Sequence, residues 1–327
     1  MRRPLRLFGC LAGFVLALVA AAALLLGGGV LGEATIKQET PFLIPAGSTL
    51  TSVAGNLETA GHISSADGFL LRARLFGSSD PIQAGEFSLS PDMSQGDILA
   101  AFQSGDVIRR FVTIPEGMPS VLVWERLMAE ELLTGEIPVP PEGSILPDTY
   151  AFERGQDRAE LVEQMQGTMD LYLAEAWAER SDSIAVDTIR EALILAAIVE
   201  KETGTPEERR TVAGLYSNRL RTGMMLQADP TIIYPITQGK PLGRRIRQSE
   251  IAAVNGYNTY TMLGLPSGPI TNPGRESIAA VLNPEPHDYV FMVADGTGGH
   301  EFNATLEGHN EAVGRWFELR RQRGEME

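Results

Sequence analysis

Two carboxylates stand two residues apart at the end of an apolar run, in the string IVEKET over 198–203. A helix capped by Asp187 or Thr188 puts Leu195, Ile198 and Val199 on one face. The next position on that face, four beyond Ile198 and three beyond Val199, is Glu202. Glu200 sits about 200° around the helix from it, and Lys201 is also off the stripe. A carboxyl closing a greasy face is partly desolvated, so its pKa rises and it can hold a proton near neutral pH, as a general acid must. A helix fraying into water at Gly204 would instead leave both glutamates solvated.

Downstream the chain is unusually polar for its apolar surroundings. The string LQADPTIIY over 226–234 places Gln227 and Asp229 on either side of a turn ahead of Pro230. The segment 248–274 carries Asn255, Tyr257, Asn258, Thr259 and Tyr260 and then a Gly/Pro-rich loop. Short amides, hydroxyls and tyrosines supply hydrogen bonds and stacking faces for a neutral, hydroxyl-rich ligand such as a glycan. A turn-rich structural surface would use some of the same residue types. His300 and His309 have no neighbouring Cys and no His-x-x-x-His spacing, so hydrogen bonding or helix capping is expected of them rather than metal binding. No cofactor is called for.

These groups need elements to hold them. Residues 156–180 read as one long amphipathic helix with Leu161, Met165, Met169 and Leu173 as its packing stripe. The last segment reads as a strand over 289–294, a DGTGGH turn, a short strand at HEFN and a C-terminal helix. Earlier, the segments 44–57, 89–102 and 114–127 echo one another, each a short apolar piece, a Pro, a turn, and a hydroxyl or amide residue opening a helix. A strand feeding a capped helix is the economical interpretation, as binding modules or as a pedestal. Between 130 and 155 four prolines and no long periodic segment mark a hinge that contains LPDTY.

Composition bounds the rest. The chain has 327 residues, 43% of them hydrophobic, enough for two domains with buried cores. With 27 Lys and Arg against 42 Asp and Glu, the net charge is −15, which leaves no general electrostatic reason to bind nucleic acid. One Cys, Cys10, excludes an internal disulfide and a multi-thiolate metal site.

The stretch 7–32 is without a single charge. As a helix it spans roughly 39 Å, enough to cross a hydrocarbon core of about 30 Å. Arg2, Arg3 and Arg6 precede it, so the positive-inside bias puts the N-terminus in the cytoplasm. A cleaved signal peptide has a shorter apolar core and a better small-residue site than the one near Gly32, so an anchor is the expectation. Cys10 precedes the apolar core and is not placed as a lipid attachment residue. The expected organisation is mixed α/β and α+β: a cytoplasmic N-terminus 1–6, a transmembrane helix 7–32, small α/β modules 35–128, a hinge 129–155 and a larger domain 156–327 that carries the polar cluster.

The strings IVEKET, NRLRTGMMLQADPTIIY (218–234), YNTYTMLGLPSGPITNPG (257–274) and FMVADGTGGHEFNATLEGHN (291–310) closely resemble the endolytic murein transglycosylase family, MltG or YceG-like. The resemblance runs over nearly the whole chain, the four motifs in order. It implies a LysM-like α/β subdomain over the small modules and a lysozyme-like or YceG-like catalytic domain over 156–327. It further implies a single-pass inner-membrane enzyme with its catalytic domain in the periplasm. Such an enzyme cuts nascent peptidoglycan strands internally, between N-acetylmuramic acid and N-acetylglucosamine, ends glycan polymerisation, and works beside peptidoglycan synthases. The family's essential glutamate falls on Glu202, and Gln227, Asp229, Tyr234, Asn258 and Tyr260 fall in its LQ-x-DP and YNTY motifs as supporting or substrate-binding positions. Pro235 stands where the family often has Gly, and Gly256 where Ala is common, departures that bear on local loop shape. Two other activities fit the same residues: a lysozyme-type hydrolase with Asp229 as second carboxylate, or a non-enzymatic glycan-binding scaffold of the wall-synthesis machinery.

Overall fold

The computed structural model describes residues 14–17, 19 and 34–325. Its chain divides into two compact units, one ending at Arg110 and one beginning at Phe111. The division puts the third of the echoing segments, 114–127, in the second unit.

In the first unit, β1 (Thr40–Ile44) is followed by α1 (Leu50–Thr59), α2 (Ala66–Phe76), β2 (Gly85–Leu89) and α3 (Gln95–Ser104). The strands β1 and β2 pair antiparallel, Thr40 opposite Leu89 and Ile44 opposite Gly85. The turn after each strand ends in a hydroxyl cap: Thr49 accepts from the Ser52 N–H and Ser94 from the Asp97 N–H, and in both the third helical side chain returns a bond to the cap backbone. Ile44, Leu57, Phe69, Phe87, Leu89, Ile98 and Phe102 form the core, with Phe42 stacked on Phe102 at 5.7 Å. The helix α2, opened by the Ser65 cap, stands between the first two strand-and-helix pieces and has no counterpart in the sequence expectation.

The second unit opens with β3 (Arg110–Thr113), α4 (Ser120–Ala129) and, after the proline-rich hinge, β4 (Thr149–Phe152), which pairs with β3. The hinge is ordered by its prolines and by side chains that reach back to it. Trp124 Nε1 donates to Ile137 O at 2.8 Å, and Arg158 donates to Leu127 O and Glu130 O, both at 2.7 Å. Then come α5 (Arg158–Ala178), whose Leu161, Met165, Met169 and Leu173 are buried as the stripe predicts, and α6 (Ile189–Glu202). Thr188 caps α6 in a reciprocal box with Glu191. After a short 3-10 turn (Pro206–Glu208) follow α7 (Arg209–Arg221), α8 (Asp229–Thr237), α9 (Gln248–Ile251) and α10 (Arg275–Leu282). The antiparallel pair β5 (Phe291–Ala294) and β6 (His300–Asn303) precedes α11 (Leu306–Gln322).

The core of this unit is built around α6. Leu195, Ala196, Ala197, Ile198 and Val199 are excluded from water and pack among Val212, Leu215 and Tyr216 of α7 and Ile278 and Val281 of α10. Truncating one such Leu or Ile to Ala costs about 2–5 kcal/mol. Alanines at 196 and 197 let neighbouring helices approach closely, so the last turn of α6 is held from several sides.

One expectation is corrected. Among the described residues no helix is long and apolar enough to cross a membrane. The longest, α5, carries charged residues along its length. Of the stretch 7–32, only residues 14–17 and 19 are described, helical and exposed; the remainder lies outside the described residues. Among the described residues the fold is therefore a mixed α/β arrangement of small sheets and helices, none of the helices long and apolar enough to cross a membrane. The anchor through 7–32, the inner membrane as a partner, and the single-pass placement with a cytoplasmic N-terminus and a periplasmic catalytic domain are not carried forward.

Candidate functional site

Glu202 occupies the final turn of α6, and the chain leaves the helix at once. Thr203 caps it, its N–H and hydroxyl both donating to Val199 O. Gly204 lies so close to the loop after β5 that a Cβ there would stand 2.4 Å from Gly298 O. The glycine is thus required by close approach, and it seats the GTGG turn against the end of the helix. Glu208 fastens the same turn, accepting from His300 N at 2.8 Å and pairing with His300 Nδ1 at 2.9 Å.

Glu202 is half-buried, with one carboxyl oxygen withdrawn from water. Its Oε1 is buried without a hydrogen-bond partner, and its pKa is pushed up from 4.5 to about 7. Burial is the main cause, and the Asp229 charge adds to it; Arg219 and the Asp229 main-chain N–H pull the other way. At neutral pH the group therefore exists in comparable amounts as acid and carboxylate, the poise a proton donor needs.

Asp229 reaches this place because two loop motifs are stitched together. Thr231 and Thr259, both buried, share a hydroxyl contact of 2.8 Å; Ala228 N donates to Thr259 Oγ1 at 3.0 Å and Gln227 N to Thr259 O at 3.2 Å. The DPTIIY segment, expected as a turn, is the helix α8 with Asp229 at its first position and Pro230 next, where a missing N–H costs nothing. The bend before it falls at Gln227, which takes φ of 49°. Tyr260 comes from the second motif, and its hydroxyl donates to Asp229 Oδ1 at 2.6 Å. Burial and the neighbouring Asp229 push the phenol pKa well above its usual value, so it stays a donor.

Of the six expected site residues, Glu202, Asp229 and Tyr260 are brought together. Gln227 is exposed, two residues before α8 begins. Asn258 is fully buried: its Nδ2 donates to Ile251 O at 2.9 Å and Ala253 O at 2.7 Å, and its Oδ1 accepts from Tyr260 N at 3.0 Å. It fixes the loop that presents Tyr260. Tyr234 lies further along α8, its ring 4.8 Å from that of Tyr257 and its hydroxyl beside the Glu142 carboxyl, whose pKa burial raises.

Two groups that interact with the carboxyl, Arg219 and Tyr216, were not anticipated, and His309 lies beside Arg219. Arg219, largely buried, donates to Val290 O at 2.7 Å and Leu226 O at 2.5 Å, and its charge acts on Glu202. Tyr216 is fully buried one turn earlier on α7, with Arg219 over its ring at 5.9 Å. His309 stacks on Phe291 at 5.1 Å, and burial, with Arg219, holds its pKa down. The signal for Arg219 was present: Val212, Leu215 and Tyr216 recur at helical spacing and the next position on their face is Arg219, a charge on an apolar stripe.

Glu200 points elsewhere. Its Oε2 accepts from Gly274 N at 3.0 Å and Ser277 Oγ at 2.6 Å, which fastens α6 to the start of α10. Among the described residues no group of three His, Cys, Asp or Glu side chains is placed to hold a metal ion.

Comparison with known proteins adds independent information. Residues 42–315 match the model of the YceG-like family. A Streptococcus pneumoniae (strain D39) protein named "Endolytic murein transglycosylase" is 28% identical, the match covering 92% of this chain and 64% of that protein. This chain thus spans less than two thirds of that relative. A Bacillus subtilis (strain 168) protein of the same name is 26% identical over 89% of this chain and 88% of its own length. Among solved structures, a crystal structure titled as a putative yceG-like protein from Listeria monocytogenes superposes with a TM-score of 0.53 at 26% identity, covering 84% of this chain and 99% of that one.

Proposed function

The chain belongs to the YceG-like family, and from that membership and the chemistry around Glu202 we propose that it is an endolytic murein transglycosylase, a lyase acting on peptidoglycan glycan strands. The observation that carries the reading is the buried, unpartnered Glu202 oxygen on a carboxyl that titrates at about 7. The names of the pneumococcal and Bacillus relatives support the same substrate class.

Protonated Glu202 donates to the glycosidic oxygen between N-acetylmuramic acid and N-acetylglucosamine as the bond to the muramic C1 breaks. Positive charge develops at C1 and the ring oxygen. The Glu202 carboxylate then takes the proton from the C6 hydroxyl of the same sugar, and the C6 oxygen closes onto C1 to give the 1,6-anhydro end. No water is consumed, so a second carboxylate acting as base on a water is not needed. Asp229, held by Tyr260, is a fixed negative charge beside the acid; it raises the proton affinity of Glu202 before the bond breaks and steadies the cationic centre afterwards. Gln227 and Tyr234 are assigned to substrate contact, and Asn258 acts through Tyr260.

A hydrolase would use two carboxyls on opposite faces of the sugar or in a nucleophile and acid pair. The main-chain N–H of Asp229 acts on the Glu202 carboxylate, and the proposed mechanism assigns the Asp229 carboxyl neither a base nor a nucleophile role. Mass spectrometry of uncrosslinked glycan digested by the purified protein separates the two. The lyase gives non-reducing anhydro ends, lighter by one water than the products of hydrolysis; reducing ends alone would overturn the proposal.

A further inference from the structure

Beside the acid, a groove of about 500 Å³ runs between the loop that opens α4 and the loop that follows α8. Met118, Leu122, Ile233 and Leu242 give it an apolar lining, and Lys201 and Pro230 also line it. Each of these two lining residues is the chain neighbour of a site residue, Glu202 and Asp229. Lys201 lies about 100° around α6 from Glu202, so the groove opens at the flank of the site.

The charges of the groove are not equivalent. Lys240 is already paired with Glu125 at 2.5 Å, and Glu116 faces Arg209 at 3.8 Å. Lys201 has no carboxylate partner among the described residues, and its Nζ lies 3.5 Å from the Gly117 carbonyl. The groove therefore combines an apolar lining with one ammonium, Lys201, that has no carboxylate partner among the described residues.

Resting on the proposed reaction, we infer that this groove is a subsite for the lactyl-peptide stem of the muramic acid residue whose C1 reacts, with a stem carboxylate paired to Lys201. That sugar carries its lactyl group at C3, on the same ring as the breaking bond, so the stem must leave within a few ångströms of Glu202. The groove lined by Lys201 and Pro230, the chain neighbours of Glu202 and Asp229, is the surface assigned to it. A neutral sugar would leave the ammonium unmatched, whereas a peptide bearing carboxylates and alanine methyls matches both the charge and the lining.

The test compares two substrates: uncrosslinked strands bearing stems and the same strands stripped of stems by an amidase. The parent protein is expected to cleave stem-bearing strands with the higher kcat/KM. In Lys201→Met the ratio of the two kcat/KM values falls about fivefold, the worth of one partly exposed ion pair, and the change lies in KM. In Leu242→Ser the ratio falls in the same direction through the lining alone. If Lys201→Met lowers both substrates equally, the groove holds sugar and the inference is overturned; an unchanged ratio in both variants overturns it as well. If the parent protein cleaves neither substrate, the transglycosylase reading fails and the subsite with it. Cleavage of both with an unchanged ratio removes the subsite alone.

Discussion

Replacing Glu202 by Gln should shift stability in favour of the variant, relative to the parent, as the pH rises from acid to alkaline. The Glu202 carboxyl titrates at about 7 in the folded chain against an ordinary value of 4.5, chiefly because burial disfavours its charged form. The folded state therefore holds the proton more tightly than the unfolded state. The sign follows: this group's contribution is most favourable below the ordinary value, declines as the pH rises through about 7, and is flat above that. At about 1.36 kcal/mol for each pKa unit, the shift amounts to on the order of 3 kcal/mol of stability lost on full ionisation. Gln keeps the shape of Glu and cannot ionise. Its own hydrogen-bonding mismatch is a constant offset, so the stability difference between variant and parent should grow by about 3 kcal/mol from roughly pH 4 to pH 9. Urea unfolding of both proteins in matched buffers measures this, and titrations elsewhere cancel in the difference. A difference that stays constant, or that shrinks as the pH rises, would refute the burial of the carboxyl and with it the acid role.

The remaining predictions concern the groups that set and hold this acid. Arg219→Met removes the cation that lowers the proton affinity of Glu202, so the alkaline limb of the pH–rate profile should move to higher pH; it should also cost about 2–3 kcal/mol in stability by leaving the Val290 and Leu226 carbonyls without their donor. Asn258→Ala removes the amide that joins Ile251 O, Ala253 O and the Tyr260 N–H; a loss of about 2–4 kcal/mol by thermal or urea unfolding is expected, together with reduced cleavage through a misplaced Tyr260.

Much of this site can be read from helical periodicity, and the rest depends on contacts that periodicity does not carry. The α6 cap at Thr188 and the apolar face ending in Glu202 follow from spacing alone, as does the buried stripe of α5, because each is set by residues within a few turns of one helix. The helix α8 was hidden by Pro230 and Pro235, which read as turn formers; Pro230 sits in the first turn, where it is tolerated. The helix α2 lacked an echo in the other two strand-and-helix pieces. Asn258 looks like a ligand-binding amide in sequence, yet its partners are backbone carbonyls of a loop that only the tertiary fold brings around it. Arg219 lies 17 residues beyond Glu202, so their meeting required the packing of α7 against α6 to be known. The uncharged stretch 7–32 shows the converse: composition favoured a membrane span, while no helix among the described residues can make one.

The central claim is that a single carboxyl, Glu202 and not Glu200, supplies the proton. Purified uncrosslinked glycan should be incubated with the parent protein and with Glu202→Gln and Glu200→Gln, and the anhydro ends counted by mass spectrometry. The account predicts abundant anhydro ends with the parent, none with Glu202→Gln although it remains folded, and retained cleavage with Glu200→Gln, whose amide oxygen can still accept from Gly274 N and Ser277 Oγ. Anhydro ends at the parent rate from Glu202→Gln, or their loss only in a well-folded Glu200→Gln, would contradict it.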